Sequence, residues 1–179
     1  VLAPEIVPVI IVEDERVENL HLQREHRFGC NITLAGIVNE YFYFQLNNGA
    51  DRNGLIVIEE VGICDTSGAF GPCDWGYSDP AVTASLAARD MYCLDSRIPG
   101  RNPNRSVADA LIGTDLGAGL IDVFGRSSSI VNDTTIIHPN LVVTPGYGFS
   151  IWNVTVNHPM AGWCFWRERQ AEDGELIGP

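Results

Sequence analysis

Short runs of β-branched and aromatic residues recur along the chain, and stretches rich in Gly, Pro, Asn and Asp separate them. Turn signals at intervals of about 8 to 12 residues are typical of an all-β sandwich or barrel. We therefore predict an all-β fold. The runs predicted as strands are 32–38, 40–46, 55–63, 120–125, 128–138, 140–144, 147–156 and 161–169.

The stretches between these runs differ in clarity. Residues 64–80 are rich in turn formers, and residues 98–106 are predicted to form a loop. The segment 78–97 is ambiguous, because Ser78 and Pro80 are suited to the start of a helix. Its apolar residues nevertheless alternate with polar ones from Val82 to Leu94, which favours a strand.

The N-terminal stretch differs from the rest of the chain. Pro4 and Pro8 lie within an extended apolar run, and an acidic cluster follows at 13–15. Because proline donates no hydrogen bond to a strand ladder, this stretch is predicted to be an edge strand or an arm lying on a neighbour. We expect an extended N-terminal arm over residues 1–20 and a single β-sandwich domain over 21–179.

Size and charge limit the partners of this chain. Its 179 residues suffice for one well-filled core, and 23 acidic against 11 basic residues give a formal net charge of −12. Such a surface repels both a nucleic-acid backbone and an anionic membrane. The longest apolar run, Ile6–Val12, is too short to span a bilayer. We expect neither nucleic acid nor a membrane as a partner, and the first residues lack the basic region of a signal peptide.

Five cysteines occur without a single C-x-x-C spacing, which disfavours a zinc site or a thioredoxin-like site. Two alternatives remain for them. They are buried free thiols, or some of them form a disulfide such as Cys64–Cys73.

The four histidines do not predict a metal site. His21 and His26 would lie on opposite faces of a strand, and they are not four residues apart as on one face of a helix. His138 and His158 each precede a proline, which favours an extended or turn conformation. We predict no metal and no cofactor.

Motifs for catalysis are also lacking. The chain has no G-x-S-x-G elbow, no phosphate-binding loop and no H-E-x-x-H sequence. The sequence DTSG at 65–68 is predicted to be a turn. Glu59 and Glu60 are adjacent in a predicted strand and would therefore face opposite sides of the sheet, too far apart for acid–base work. The sequence predicts a protein that is not an enzyme.

Four N-x-[ST] sequons suggest an alternative class of protein. About one would be expected by chance from this composition. A secreted, N-glycosylated adhesin or binding protein is therefore the rival hypothesis, and its location would be extracellular. The possible acceptors are Asn31, Asn104, Asn132 and Asn153.

Three arginines lie four residues apart in the proline-stiffened loop 97–105 of an otherwise acidic protein. Their guanidinium groups could bind carboxylates of a neighbouring subunit, such as those at 13–15. The alternative is a solvated loop.

Three stretches, read in order, carry a family resemblance. They are EYFYFQLNNGADRNGLIVIEEVGI (40–63), MYCLDSR (91–97) and HPNLVVTPGYGFSIWNVTVNHPMAGWCFWRE (138–168). Their order and approximate spacing resemble a diffuse group of tailed-bacteriophage virion proteins with a jelly-roll-like β-sandwich. The resemblance covers most of the chain and rests on structural motifs.

This resemblance implies a jelly-roll-like antiparallel β-sandwich with a non-enzymatic role in the virion. Such a protein decorates a capsid or forms part of a neck or tail attachment. It works as a symmetric homo-oligomer, most often a trimer, with other virion proteins as further partners.

The last predicted strand places Trp163, Phe165 and Arg167 on one face and bulky residues on the other, which suits burial against a second sheet or another subunit. Together with Trp152, it is predicted to form a C-terminal hairpin that closes the sandwich. The residues predicted to contact a neighbouring subunit are Ile6, Val9, Ile10, Val12, Arg97, Arg101, Arg105, Trp163 and Trp166.

Overall fold

The computed structural model of this protein describes residues 26–35, 39–67, 71–78, 86–94, 106–115, 120–129, 133–171 and 175. In these ranges every regular element is a β-strand, and no helix there is long and apolar enough to cross a membrane. The predicted arm (1–20) and the arginine loop (97–105) lie outside the described residues. The strands are β1 His26–Asn31, β2 Tyr41–Asn48, β3 Gly54–Asp65, β4 Gly71–Ser78, β5 Ala87–Ala88, β6 Met91–Cys93, β7 Ala108–Asp115, β8 Leu120–Ser129, β9 Thr135–Ile137, β10 Leu141–Val143, β11 Gly148–Asn153 and β12 Met160–Gln170.

The strands form two antiparallel sheets that pack face to face, so the predicted all-β sandwich is confirmed. The first sheet has the order β10-β3-β12-β1-β6, with β9 also paired to β3. The second sheet has the order β5-β7-β2-β11-β4-β8. The jelly-roll connectivity implied by the resemblance stays a prediction.

One apolar core fills the space between the sheets. Phe42, Phe44 and Leu46 of β2 point into it from the second sheet, and Cys164 and Trp166 of β12 point into it from the first. This alternation along β12 confirms the two predicted faces of the last strand. Trp166 also packs on Phe28 of β1, with ring centroids 6.0 Å apart.

Three strands escaped prediction, namely β1, β4 and β7. The turn-rich sequence of β4, GPCDWGYS, carries two glycines and a proline, yet it pairs with β11 on one side and β8 on the other. Backbone pairing on both sides therefore outweighs weak β-propensity. Conversely, the predicted strand 147–156 ends at Asn153, and the described residues of the predicted strand 128–138 form strands at 128–129 and 135–137.

The predicted C-terminal hairpin is wrong. β11, which carries Trp152, lies in the middle of the second sheet, whereas β12 lies in the middle of the first. The connection between them crosses from one sheet to the other and contains Asn157, whose φ of 66° is the left-handed conformation that asparagine tolerates. Asn157 Oδ1 accepts a hydrogen bond from Asn39 N at 2.6 Å, which fixes the crossover.

Candidate functional site

The outer face of the first sheet carries a charged and aromatic cluster. The register between β12 and β3 shifts at Phe165, where Phe165 pairs with Glu60 but the next residue pairs with Ile58. This β-bulge places Glu59 and Glu60 on the same outer face, so the prediction that they face opposite sides is wrong. A period-two reading of one strand cannot detect a bulge, because the extra residue is defined by the partner strand.

Both glutamates are engaged on this face. Glu59 accepts a hydrogen bond from Arg27 Nε at 2.6 Å, and it forms an ion pair with Arg167, whose Nε lies 2.9 Å from Glu59 Oε1. Glu60 accepts a hydrogen bond from the indole nitrogen of Trp163 at 2.9 Å. Two carboxylates and two guanidinium groups thus balance in charge. The arrangement orients side chains, and neither carboxylate is left free to act as a base.

A second polar cluster lies where β3 ends and the β11–β12 crossover returns. Asp65 is fully buried, and one of its oxygens pairs with Nδ1 of His158. Its other oxygen accepts a hydrogen bond from Ser67 N at 2.7 Å, which confirms the predicted turn at this position. His158 therefore fastens the crossover to the end of β3.

This cluster contains Ser, His and Asp but not in the geometry of a catalytic triad. In a triad, the carboxylate and the hydroxyl bind opposite nitrogens of the imidazole ring. Here Ser67 Oγ lies 3.3 Å from the same Nδ1 that pairs with Asp65. Both side chains thus meet the same nitrogen of His158. The triad arrangement, in which Asp65 would bind one nitrogen while the other accepted a proton from Ser67, is not formed. Within the described ranges, no group of three His, Cys, Asp or Glu side chains could hold a metal ion.

A buried carboxylate closes one end of the sandwich. Glu168 accepts hydrogen bonds from Ser106 Oγ at 2.5 Å, Trp166 Nε1 at 2.8 Å and Val107 N at 2.7 Å. Burial raises the pKa of Glu168 above its ordinary value, and these bonds lower it in part. Perturbed carboxyls in clefts are candidates for catalysis. Ala108 N is a fourth hydrogen-bond donor to Glu168. All four donors belong to this chain, which indicates that Glu168 has a structural role at this end of the sandwich.

An apolar surface follows one side of the sandwich, where both sheets end. Tyr77 links the two edges, since its hydroxyl donates to Val142 O at 2.8 Å and its ring meets Phe124 edge-on at 5.0 Å. Tyr147 and Val142 border a groove of about 190 Å³ beside Tyr77. We call the exposed apolar residues of this side the edge strip: Val123, Phe124, Ile136, Val142 and Tyr147.

Among the described residues, the strands beneath the edge strip lie at the edges of their sheets. β8 ends the second sheet, β10 ends the first, and β9 lies beside β3 on the same side as β10, because β12 occupies the other side. Neither β9 nor β10 contains a charged residue. Charges on edge strands normally prevent association with other chains. Sequence reasoning missed this strip, although the apolar residues of 120–125 and 140–144 were visible.

Of the predicted assembly residues, only the two tryptophans lie in the described ranges. Trp163 is partly exposed on the outer face of the first sheet, which leaves it accessible to a partner. Trp166 is fully buried in the core, so the structure contradicts its predicted contact with another subunit. The positions Ile6, Val9, Ile10, Val12, Arg97, Arg101 and Arg105 lie outside the described residues.

Of the four sequons, one is exposed, one is buried and two lie outside the described residues. Asn31 is exposed, and its Oδ1 accepts a hydrogen bond from Thr33 N at 2.7 Å. Asn153 is fully buried, and its Nδ2, the atom that would carry a glycan, donates to His158 O at 2.5 Å. No sugar can be attached there in this fold. Asn104 and Asn132 lie outside the described residues.

All five cysteines are free thiols, which decides between the two predicted alternatives. The predicted disulfide between Cys64 and Cys73 is absent. Cys73 Sγ instead donates to Asn153 Oδ1 at 2.9 Å. Burial raises the pKa of Cys30 and of Cys73 to about 12, so both resist conversion to the reactive thiolate.

No model of a known protein family matches the chain, and neither the curated proteins nor the solved structures contain a match.

Proposed function

We propose that this protein is a non-enzymatic structural component of a tailed-bacteriophage virion, which works by assembling with further copies of itself. The edge strip is the observation that carries the proposal. Val142 is 41% exposed and Phe124 is 50% exposed. They lie on β10 and β8, which are the edge strands of the two sheets in the described part of the chain. Contiguous exposed apolar surface rimmed by polar residues is typical of protein interfaces.

The resemblance to virion proteins supplies the setting for this assembly. A closed ring is the expected arrangement, with three copies as the expected size, and it decorates a capsid or forms part of a neck or tail attachment. The apolar arm and the arginine loop enter the same proposal as additional contacts between subunits. Trp163 stays available for such a contact, whereas Trp166 does not.

Light scattering after size exclusion tests the assembly. We expect the wild-type chain to form one oligomer and Phe124→Lys or Val142→Lys to weaken association at least about tenfold, because the lysine charge would be buried in the interface. Tyr92→Lys is the matched control, since Tyr92 is 55% exposed at the opposite edge of the first sheet. A monomeric wild-type chain, or an oligomer that tolerates both lysines, would refute the proposal.

Deletion of residues 1–14 tests the arm separately. We expect the shortened chain to remain folded but to lose its oligomeric state. A shortened chain that assembles like the full one would remove the arm from the proposal and leave the edge strip. The virion setting is tested by the genes beside this one, which are expected to encode portal, capsid or tail proteins.

The second candidate is a secreted, N-glycosylated adhesin, which the exposure of Asn31 favours. Intact-mass measurement of the protein from its natural source discriminates between the two. A virion component is expected at the mass of the bare chain with five reduced cysteines. Hexose-bearing adducts would favour the adhesin, and Asn153 is not expected among their sites.

A further inference from the structure

The outer face of the first sheet carries an aromatic platform built on glycine. A Cβ atom added to Gly62 would lie within 3 Å of three successive carbons of the six-membered ring of Trp163. A Cβ atom can lie this close to three neighbouring ring carbons only if it sits above the plane of the ring. The indole therefore lies flat on the backbone of β3. Its hydrogen bond to Glu60 fixes it there at 2.9 Å, and its other face is turned away from the sheet.

A groove of about 290 Å³ runs beside this platform over β1. Gly29 and Gly162 form part of its lining, and Phe165 and Tyr92 stand along it. The ring of Phe165 packs on Gly29, since a Cβ atom added there would lie 2.6 Å from Phe165 Cδ1. Arg27 lies 5.8 Å from the centre of the same ring and holds it by a cation–π contact. The groove is therefore shallow, open and bounded by fixed aromatic rings.

Polar groups border the groove without adding net charge. Asn31 lies in it, and because its Oδ1 already binds Thr33 N, its NH₂ group is the part that a ligand would meet. Arg27 and Arg167 are balanced by Glu59 and Glu60. The described residues that line the groove are themselves uncharged, so in a chain of net charge −12 the groove offers no cation to an anionic ligand and no carboxylate to a cationic one.

From this geometry we infer that the groove binds an uncharged saccharide, with a pyranose ring stacked on Trp163. The C–H face of a pyranose is apolar and flat, and it packs against an aromatic face by dispersion. Its hydroxyl groups meet the amide of Asn31 at the border. The volume lies at the lower end for ligand sites, which suits one or two sugar rings. This site goes beyond the proposed function and assigns the exposed face of Trp163 to a ligand instead of a subunit contact.

Titration of the ¹⁵N-labelled full chain with methyl β-glucoside, methyl β-galactoside, cellobiose and maltose tests the site. We expect a saturable shift of the Trp163 indole N–H with at least one of them, at about millimolar affinity for a ligand this small. Methyl β-glucuronide, which differs from the glucoside by one carboxylate, is expected to bind at least about fivefold more weakly.

Two variants locate the binding. Tyr92→Ala removes an exposed side chain without disturbing the core and is expected to weaken binding about fivefold to tenfold. Phe124→Ala removes an equally exposed aromatic ring from the edge strip and should leave sugar binding unchanged. Trp163→Ala should abolish it, with the spectrum of the variant serving as the check that it folds.

Three outcomes would overturn the inference. The first is that none of the four sugars gives a saturable shift at a sugar concentration of about ten times the expected dissociation constant. The second is that binding survives both Tyr92→Ala and Trp163→Ala. The third is that the signals of the groove residues shift with protein concentration alone. The last outcome would identify a second copy of the chain as the occupant. The first two outcomes do not bear on the edge strip, whose variants leave the groove intact, whereas the third would add the groove to the contacts between copies.

Discussion

The two sheets of this sandwich have outer faces of opposite character. On the first sheet, Arg27, Trp163 and Phe165 remain partly exposed. On the second sheet, several residues of β2, β4 and β11 point away from the core and are nevertheless buried, since none of Tyr43, Gln45, Asp74, Ser78, Ser150 and Trp152 is more than 7% exposed. Arg126 of the neighbouring strand β8 is exposed on this face. The first face is open to a partner, whereas the second is a closed polar layer.

Hydrogen bonding shows how the closed layer is held. Ser78 Oγ accepts from Gln45 Nε2 at 2.8 Å and from Ser150 Oγ at 2.6 Å, and Ser150 in turn accepts from the Tyr43 hydroxyl at 3.1 Å. These side chains converge over Gly148, which has no side chain of its own. Buried polar groups stabilise a fold only when they are paired. The closed face therefore contributes stability, and function is to be sought on the open face and at the edge strip.

The largest effect on stability is expected from replacing one glycine on each face by alanine. A Cβ at Gly148 would lie 2.5 Å from Asn47 Oδ1 and 2.7 Å from Ser78 Oγ. Gly148→Ala should therefore lower the free energy of unfolding by about 2 to 3 kcal/mol, through overpacking and broken hydrogen bonds. Gly62→Ala should cost only about 1 kcal/mol, because the ring of Trp163 that it displaces is partly exposed and water can replace its lost hydrogen bond to Glu60. Urea denaturation measures both, and a larger loss at Gly62 would reverse the comparison.

A smaller contrast is expected from removing one polar group from each face. Ser150→Ala removes the hydrogen bonds that Ser150 makes with Tyr43 and Ser78 in a buried layer, and we expect a loss of about 1 to 2 kcal/mol. Arg27→Gln removes one of two arginines from Glu59 on the open face, where solvent screens the pair, and should cost less than about 1 kcal/mol. Equal losses would mean that the open face is as tightly built as the closed one.

Sequence reasoning reached the fold class and the alternation of β12, because apolar runs with period two report which residues face a core. It missed β4, since the pairing of that strand with β8 and β11 depends on residues far away in sequence. It also placed Glu59 and Glu60 on opposite faces, because the bulge in β3 exists only relative to β12. The edge strip and the groove over Gly29 depend on which strands end each sheet, and no single segment encodes that.

The smallest predicted effect concerns Glu168, whose pKa burial raises above the ordinary value of 4.5. A carboxyl with a raised folded-state pKa contributes its full stabilisation below the unfolded-state pKa, and this contribution is lost as pH rises through the folded-state pKa. The wild-type chain should therefore lose some stability as pH rises above about 4.5, and Glu168→Gln should remove that part of the pH dependence. Unfolding in urea at several values between about pH 4 and pH 8 measures it. We expect the stability of the variant, relative to the wild type, to improve with increasing pH, because glutamine stays neutral throughout. A relative stability that declines with pH would mean that the four hydrogen bonds outweigh burial and that the carboxylate itself holds this end of the sandwich.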